Sequence, residues 1–341
     1  MRSATLPPDL AAVAREARHN GRAVAPPRTA TIVGLGHHVP PEVIPNGPIA
    51  ERLGVDDAWI VKRTGIRSRR RAADDERLSD IATFAARKAL SDAGVDPYDL
   101  DLVLVATMSQ DELTPNTAPL VAHALGAERA GAIDIGAACT GWLSGLQLGA
   151  GQIEAGRAET VLLIGAEILT RLTDFEDRKT AALFGDGAGA VVLGPATDGA
   201  TIGPITLAAD GSLAETIVAT HEDRKIRMDG HDTFQNAVRR LSEATVAAMA
   251  RADLELDDID LFVYHQANGR ILRAVGERLD LPPAKVADYI GELGNTSAAS
   301  IPLALGLLRE DGRLRPGHRV LVAAIGAGFT WGAGVLEWGI A

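Results

Sequence analysis

The sequence has a single cysteine, an excess of acidic over basic residues and no long apolar run, and each shortage excludes a class of protein. The lone Cys139 excludes a disulfide framework and a cysteine-based zinc site, and it is typical of the reducing cytoplasm. No apolar stretch reaches the ~18 residues that a membrane span needs, and the first residues lack the apolar core of a signal peptide. We therefore expect a cytoplasmic protein without membrane contact.

The charge balance argues against a nucleic-acid partner. Lys and Arg number 34 against 45 Asp and Glu, and the net charge of −11 repels phosphate backbones. Hydrophobic residues make up 46% of the 341 residues, which is ordinary for a globular protein. A chain of this length is expected to form about two domains or one duplicated unit.

The N-terminal segment differs in composition from the rest of the chain. Residues 1–28 are rich in Ala, Arg and Pro, and a short helix is predicted over residues 8–19. We interpret this extension as a tail or a loosely docked helix. The first core strand is predicted at residues 30–34, which are almost entirely apolar.

The chain repeats itself at an interval of 159 residues. A helix, a polar turn and an apolar strand surround Asp101, and the same order surrounds Asp260. A second apolar strand, at residues 160–165, recurs at 319–324 with the same interval. Two separate blocks in one register indicate a tandem duplication.

Each half alternates amphipathic helices with short apolar strands. Examples in the first half are helices at 78–93 and 141–154 and strands at 102–107 and 160–165. Strands that are apolar throughout indicate sheets covered by helices on both faces. The sequence therefore predicts an α/β fold with two similar sheets about a pseudo-two-fold axis, in an N-terminal half at 29–195 and a C-terminal half at 196–341.

The duplication brings three polar side chains to one place. Cys139 follows a predicted strand and precedes a helix, and Asn295 occupies the corresponding turn of the second half. His265 ends the strand that is equivalent to residues 102–107. A pseudo-two-fold axis would bring these side chains together, and the helix N-terminus at Cys139 is expected to favour the nucleophilic thiolate.

Each of the three residues alone also fits a structural role. A lone cysteine is commonly an inert buried side chain, a histidine at a strand end is commonly a core or surface residue, and an asparagine in such a turn commonly caps a helix. It is their convergence that points to a catalytic site.

Several motifs resemble those of β-ketoacyl-acyl-carrier-protein synthase III, a family of the thiolase superfamily. They occur in the order and spacing of that family over about residues 29–338. The motifs are WIVKRTGIR at 59–67, AACTG at 137–141, FGDGAG at 184–189, HQAN at 265–268, GNTSAAS at 294–300 and GFTWG at 328–332.

The resemblance implies a five-layered αβαβα thiolase fold, a homodimer and a two-step reaction. Cys139 would take an acyl group from an acyl-CoA as a thioester. His265 and Asn295 would bind the thioester carbonyl of malonyl on an acyl-carrier protein, so that loss of CO₂ leaves a stabilised enolate that attacks the acyl-cysteine. The backbone N–H groups of Cys139 and Ala327 would form the oxyanion hole. No metal or redox cofactor is implied, because thioesters already carry activated carbonyls.

The resemblance also implies substrate-binding residues. Trp59 and Arg178 match the pair that holds the CoA adenine between them, a stacking and cation–π arrangement. Arg63 and Arg270 match positions at the mouth of the pantetheine tunnel, and Asn268 matches a residue that lines the tunnel. The basic run at 67–71 fits either a solvated charged face or part of a patch for an acidic carrier protein.

Two positions depart from the family pattern. Thr114 stands where common bacterial members carry a bulky aromatic residue at the floor of the acyl pocket, contributed across the dimer. This puts a preference for acetyl in doubt and predicts a different or more polar starter. Ala327 replaces the usual glycine, which keeps the backbone donor and narrows the space beside it.

Two other functions remain open at this point. A relative that keeps the acyl-cysteine could transfer the acyl group to a hydroxyl or amine, although such relatives often alter the position of Asn295. A non-enzymatic partner subunit of the same fold would commonly lack Cys139. The intact set of three residues favours decarboxylative condensation.

Overall fold

The structure, a computed structural model, describes residues 28–196 and 199–341. The predicted N-terminal extension therefore lies outside the described residues except for Arg28, and so does the helix predicted at 8–19. Arg28 is held in place, because its backbone N–H donates to Glu154 O at 3.1 Å and its guanidinium contacts the Glu159 carboxylate at 2.5 Å.

The first half of the chain forms one large sheet, a small two-stranded sheet and the helices that cover them. In chain order its elements are β1 (Ala30–His38), β2 (Glu42–Pro45), α1 (Asn46–Leu53), α2 (Asp57–Thr64), β3 (Ser68–Arg71), α3 (Leu78–Ala93), β4 (Leu102–Ala106), α4 (Thr117–Leu125), β5 (Gly131–Ile135), α5 (Gly141–Glu154), β6 (Val161–Ile168) and β7 (Asp186–Pro195).

The second half repeats this plan with fewer strands in its large sheet. Its elements are β8 (Thr206–Ala209), β9 (Ile217–Ala219), β10 (Ile226–Met228), α6 (Gly230–Ala252), β11 (Leu261–Tyr264), α7 (Gly269–Arg278), α8 (Ile290–Leu293), α9 (Ser300–Glu310), β12 (Arg319–Gly326) and β13 (Thr330–Glu337). None of the helices in the described ranges is both long and apolar enough to cross a membrane.

The two large sheets have corresponding strand orders. The first runs β1-β7-β6-β4-β5 and the second β11-β12-β13-β8, so that β4, β6, β7 and β1 correspond to β11, β12, β13 and β8. β4 and β6 are parallel, as are β11 and β12, while β7 and β13 run antiparallel to their neighbours. All eight residues of β6 are buried, which fits a strand covered on both faces.

The helices complete five layers. α3 packs on the outer face of the first sheet, and α6 packs on the outer face of the second. α5 and α9 lie between the sheets, where each contacts strands of both. The predicted αβαβα architecture is confirmed.

The expectation of two similar sheets is wrong in one respect, because β5 has no full counterpart. The segment 159 positions after β5 forms the short helix α8, and only Val286 bridges the outer strand of the second sheet, at Phe262. The chain after α8 pairs with the first half instead: Asn295 N donates to Leu183 O at 2.8 Å, and Gly185 N donates to Asn295 O at 3.1 Å.

Two of the turns between helices and strands also recur at the interval of 159 residues. The 3₁₀ turn Pro97–Asp99 recurs at Leu256–Asp258, and the turn Ala138–Thr140 recurs at Ser297–Ala299, both 159 positions later. The two halves meet at the second of these turns. Gly165 allows the contact, since a Cβ there would lie 2.3 Å from Ala298 O.

Candidate active site

A cavity of about 530 Å³ opens where the two halves meet, and residues of both halves line it. Cys139 comes from the first half, while His265 and Asn295 come from the second. The structure thus brings the three predicted catalytic residues to one cavity. Within residues 28–196 and 199–341, no three His, Cys, Asp or Glu side chains form a group that could hold a metal ion.

Cys139 lies in the 3₁₀ turn Ala138–Thr140, immediately before α5. Ala138, in this turn, adopts a left-handed backbone conformation with φ of 45°. The end of β12 presses against the turn, because a Cβ on Gly326 would lie 2.9 Å from Cys139 N. A glycine at 326 is therefore needed to bring the second sheet this close to the nucleophile.

Burial opposes the effect of the helix N-terminus on the Cys139 thiol, and the expected preference for the thiolate stays a prediction. Burial raises the pKa of the Cys139 thiol to about 12; the Ser297 hydroxyl lowers the pKa and the nearby Glu167 carboxyl raises it. Removal from water penalises the anion more than the turn stabilises it. Cys139 is half-buried at the cavity wall, and its thiol must lose a proton when the sulfur is acylated.

His265 follows β11 directly and is 1% exposed. Its Nδ1 lies 2.6 Å from the Ser300 Oγ at the start of α9. Burial lowers the pKa of the imidazole to about 3. The ring is therefore neutral. In the tautomer in which Nδ1 accepts from the Ser300 hydroxyl, the proton is on Nε2, which is then a neutral donor.

Asn295 is oriented by its own backbone neighbours. Its side-chain Oδ1 accepts from Ser297 N at 2.8 Å, and its backbone bridges Phe184 of the first half. With the oxygen engaged, the amide NH₂ is the group left for a ligand in the cavity. The predicted strand before this turn is absent, because α8 precedes Asn295.

Ala327 also lines the cavity, in the loop between β12 and β13. Its carbonyl accepts from the Thr330 hydroxyl at 3.2 Å. Thr330 in turn contacts the Thr140 hydroxyl at 2.8 Å, which ties this loop to the turn that carries the nucleophile. The two residues predicted for the oxyanion hole therefore belong to one linked pair of loops.

The residues predicted to hold CoA lie at the cavity, but the cation that covers the Trp59 ring is Arg63 and not the expected Arg178. Trp59, Arg63 and Arg178 all line it. The Arg63 guanidinium covers the Trp59 ring at 4.0 Å, whereas Arg178 donates to Leu53 O at 2.7 and 3.0 Å. Arg63 therefore occupies the face of Trp59 that it covers, and a planar ring could not stack on that face in this arrangement.

Asn268 and Arg270 line the same cavity at the start of α7. Asn268 caps that helix, because its Oδ1 accepts from Arg270 N at 2.8 Å. Its amide donates to Arg63 O at 3.3 Å. Arg270 places its guanidinium 5.2 Å from the centre of the Phe234 ring.

Thr114 is not among the cavity residues of the single chain. It is exposed, in the loop between β4 and α4. The prediction that it forms the floor of the acyl pocket concerns a dimer, so it stays a prediction.

The basic run at 67–71 forms β3 and does not present one continuous charged face. Arg69 is 1% exposed and donates to Asn46 Oδ1 at 2.8 Å and to backbone carbonyls. Alternate side chains of a strand point to opposite faces, which buries the middle arginine. Arg71, more exposed, pairs with Asp74 at 2.8 Å.

Two polar residues beside the nucleophile were not predicted from the sequence, namely Ser297 and Glu167. Ser297 lines the cavity, and Glu167 is fully buried on β6. Both could have been noticed: Ser297 lies 159 positions after Ala138, and Glu167 is the single charged residue of an otherwise apolar strand.

Comparison with known proteins identifies related families. Two models of 3-oxoacyl-[acyl-carrier-protein] synthase III match the chain, one at residues 133–211 and the C-terminal one at 249–338. Cys139 lies in the first match, and His265 and Asn295 lie in the second.

Relatives match over nearly the whole described chain. The β-ketoacyl-[acyl-carrier-protein] synthases III of Geobacillus kaustophilus and Bacillus pumilus are each 43% identical over 310 residues, covering 91% of this chain and 99% of the relative. The 3-oxoacyl-[acyl-carrier-protein] synthase III of Aquifex aeolicus superposes with a TM-score of 0.88 at 40% identity, covering 91% of this chain and 100% of the other. The priming β-ketosynthase of the R1128 polyketide pathway gives 0.89 at 35% identity, covering 94% and 99%.

The duplicated sheets and the cavity between them define a condensing enzyme of the thiolase fold, an acyltransferase by reaction class. The sequence identity to these relatives and the matching family models identify the family. The chain belongs to the β-ketoacyl-[acyl-carrier-protein] synthase III family, whose condensing enzymes prime fatty-acid or polyketide synthesis.

Proposed function

We propose that this enzyme transfers an acyl group from acyl-CoA to Cys139 and then condenses it with malonyl on an acyl-carrier protein, releasing CO₂. The observation that carries the proposal is the single cavity lined by Cys139, His265 and Asn295. A thiol nucleophile beside two neutral hydrogen-bond donors matches what the two steps require.

In the first step the Cys139 sulfur attacks the acyl-CoA carbonyl. The carbonyl oxygen gains negative charge and needs donors that are already in place. The backbone N–H groups of Cys139 and Ala327 are proposed for this, each worth about 3 kcal/mol in comparable sites. CoA leaves, and the acyl group remains on the sulfur as a thioester.

In the second step malonyl loses CO₂ and its thioester oxygen gains the charge of an enolate. His265 Nε2–H and the Asn295 amide are both neutral donors, so they stabilise this oxygen without protonating it. A cationic imidazole would instead tend to quench the enolate by proton transfer. The low pKa of the buried imidazole therefore suits this role.

The substrates are proposed to enter past the residues at the cavity mouth. Trp59, Arg63 and Arg178 supply an aromatic face and cations for the CoA nucleotide, while Asn268 and Arg270 lie beside the path of the pantetheine. The reaction needs no metal or redox cofactor, because both thioesters are already activated. A free nucleophilic thiol is best preserved in a reducing compartment, so we place the enzyme in the cytoplasm.

A homodimer through the edge of the first sheet is part of the proposal. β5 is an edge strand, and Ile133 on it is 55% exposed. The loop before α4 is anchored to this strand, because Thr117 N donates to Asp134 at 2.8 Å, and its Leu113 is 78% exposed. An exposed apolar edge strand is a ready site for pairing with a second copy. Thr114, beside Leu113, would then reach the cavity of the partner.

The dimer can be tested with two matched substitutions. Ile133→Lys should give a monomer in sedimentation experiments, because it puts a charge on the proposed edge. Val246→Lys changes a side chain of similar exposure, 54%, on α6, and it should leave the dimer intact. A dimer that survives Ile133→Lys would contradict this interface.

The decarboxylation step is tested most sharply at Asn295. Asn295→Asp keeps an oxygen that accepts from Ser297 N, removes the amide donor and adds a negative charge, whereas Asn295→Ala removes the donor and the acceptor without adding charge. Both variants should lower CO₂ release from malonyl-carrier protein by about 100-fold or more. Each should still acquire an acyl group on Cys139. Unchanged CO₂ release in both variants would contradict the proposed function and favour transfer to another acceptor.

A further inference from the structure

Glu167 is a fully buried carboxyl that the reaction above leaves without a role. It is held by neutral donors only: the Ser109 hydroxyl at 2.6 Å, the Thr107 hydroxyl at 3.1 Å and Met108 N at 3.2 Å. No cation of the described residues forms a salt bridge with it. Burying a carboxyl without a cationic partner costs free energy.

The Ser297 hydroxyl connects this carboxyl to the nucleophile. It is buried and has no hydrogen-bond partner within the described residues, and its turn packs against both β6 and the turn that holds Cys139. The hydroxyl also lowers the pKa of the Cys139 thiol and of the Glu167 carboxyl. A hydroxyl can accept one proton while it donates another. Ser297 is therefore positioned to connect the thiol with the carboxyl.

The surroundings of Glu167 leave few other groups with which it could exchange a proton. The end of β4 faces it with the hydroxyls of Thr107 and Ser109, and the two 3₁₀ turns face it with Ser297 and Cys139. α3 and α5 pack apolar side chains and glycines against β6.

The other buried carboxyl on the neighbouring strand is committed elsewhere. On β7, Asp186 accepts from Thr170 and from Ala72 N. It does not line the cavity.

We propose that Glu167 accepts the proton of the Cys139 thiol through the Ser297 hydroxyl when the acyl group is loaded, and returns it when condensation frees the sulfur. The proposal rests on the proposed function, since it assigns the proton of that reaction. Glu167 would be a positioning and proton-holding residue that never contacts the substrate.

Each proton and each electron pair has a defined destination in both steps. During loading, the S–H bond breaks, the proton passes to Ser297 Oγ, and the Ser297 proton passes to a Glu167 oxygen. The sulfur pair forms the new C–S bond, and the departing CoA thiolate takes a proton from solvent. During condensation, the enolate carbon forms the C–C bond, the bond to the Cys139 sulfur breaks, and the sulfur recovers its proton by the reverse path.

The acidities of the buried groups support this direction. Burial raises the pKa of Glu167 to about 7, so the carboxylate and the acid are both populated near neutral pH. The pKa of His265 is about 3, which makes its imidazole a much weaker base. A group with a pKa near the working pH is the more effective proton acceptor.

The test measures the rate at which Cys139 gains an acyl group in a single turnover, by rapid-quench mass spectrometry from pH 5.5 to 9. In the wild-type enzyme the rate should rise with pH through about 7, as Glu167 ionises, and then level off. Glu167→Gln should lose this rise and slow loading at pH 8 by about 100-fold. Ser297→Ala should do the same while keeping the carboxyl, and it keeps the backbone, because Ala138 adopts the same φ of 45° in the first half.

Asp186→Asn is the matched control, because it removes a buried carboxyl from the neighbouring strand. It should retain the rise near pH 7. If the wild-type enzyme loads and both Glu167→Gln and Ser297→Ala show the wild-type profile, the proton path is refuted while the proposed function stands. If the wild-type enzyme loads no acyl group, the proposed function itself fails.

Discussion

The turn at Ala138–Thr140 and the turn at Ser297–Ala299 have the same backbone and different chemistry. Ala138 and Ser297 both have φ of 45°, and each turn precedes a central helix. The residue after the left-handed position is Cys139 in the first half and Ala298 in the second. The two turns therefore share one backbone conformation, while only the first carries the proposed nucleophile.

At a second pair of equivalent positions, it is the second half that carries the polar side chains. Ala106 and Gly141 touch in the first half, since a Cβ on Gly141 would lie 3.2 Å from the Ala106 Cβ. The equivalent His265 and Ser300 in the second half share a hydrogen bond of 2.6 Å. The second half thus contributes the donors, and neither half alone forms the site.

Moving the nucleophile to the other turn should have the largest effect. The double variant Cys139→Ala with Ala298→Cys carries one thiol at the equivalent turn, but Ala298 is 1% exposed and does not line the cavity. It should accumulate no acyl adduct in intact-mass measurements, as should Cys139→Ala alone. An adduct on a cysteine at 298 would mean that the two turns are functionally interchangeable.

Filling the contact between the halves should have the next largest effect. Gly165→Ala places a Cβ 2.3 Å from Ala298 O, and such overpacking should lower the free energy of unfolding by about 2 kcal/mol or more. Gly151→Ala in α5 meets no atom within 4 Å and should raise it by about 0.5–1 kcal/mol. Denaturant unfolding of both variants checks the pair, and equal stability would contradict a tight junction at Gly165.

Removing the hydroxyl of the His265–Ser300 pair should have a moderate effect on the rate of decarboxylation. Ser300→Ala removes the group that fixes the proton of His265, at a cost of about 1 kcal/mol for one hydrogen bond. Decarboxylation of malonyl-carrier protein should slow by about 5- to 10-fold, with acyl loading unchanged. Ser300→Thr keeps the hydroxyl and should recover most of the rate; a Ser300→Ala enzyme with full activity would exclude this role.

The smallest effect concerns an ion pair that joins the two halves, between Asp92 of α3 and Arg309 of α9. The guanidinium contacts both carboxylate oxygens, at 2.6 and 2.9 Å. Burial raises the pKa of Asp92, and the hydrogen bonds from Arg309 and Leu35 N outweigh it, so the pKa lies below its usual value. A lowered pKa stabilises the fold above the unfolded pKa of about 4 and loses this contribution as the pH falls through the folded value.

Asp92→Asn should therefore lower the free energy of unfolding at pH 7 by about 1 kcal/mol. The difference from the wild-type protein should shrink as the pH falls below about 4. Urea unfolding at pH 7 and pH 3 measures both values. A difference that is the same at the two pH values would show that charge is not its source.

Much of the frame could be predicted from the sequence because it depends on local patterns. The helices at Leu78–Ala93 and Gly141–Glu154 match their predicted bounds, since apolar periodicity and a terminal Gly94 define the first and the repeat defines the second. The strands were predicted with less accurate ends; β6 continues to Ile168 and β12 to Gly326. Ends of strands depend on neighbouring strands, which the sequence does not display.

The sequence predicted which residues form the site, but it did not predict the pKa of the thiol. The register of 159 residues placed Cys139, His265 and Asn295 together. The short helix α8 and the pairing of Asn295 with Leu183 and Gly185 were not predicted, because these partners are distant in sequence. A helix N-terminus can be predicted from the sequence, whereas the burial that raises the pKa of the Cys139 thiol cannot.

The most direct test of the central claim follows the mass of the Cys139 peptide through one catalytic cycle. After incubation with a panel of acyl-CoAs, the peptide should gain the mass of at least one acyl group. After addition of malonyl-carrier protein, it should lose that mass while an equal amount of β-ketoacyl-carrier protein and CO₂ appears. A peptide that never gains mass, or that keeps it when malonyl-carrier protein is present, would contradict the account.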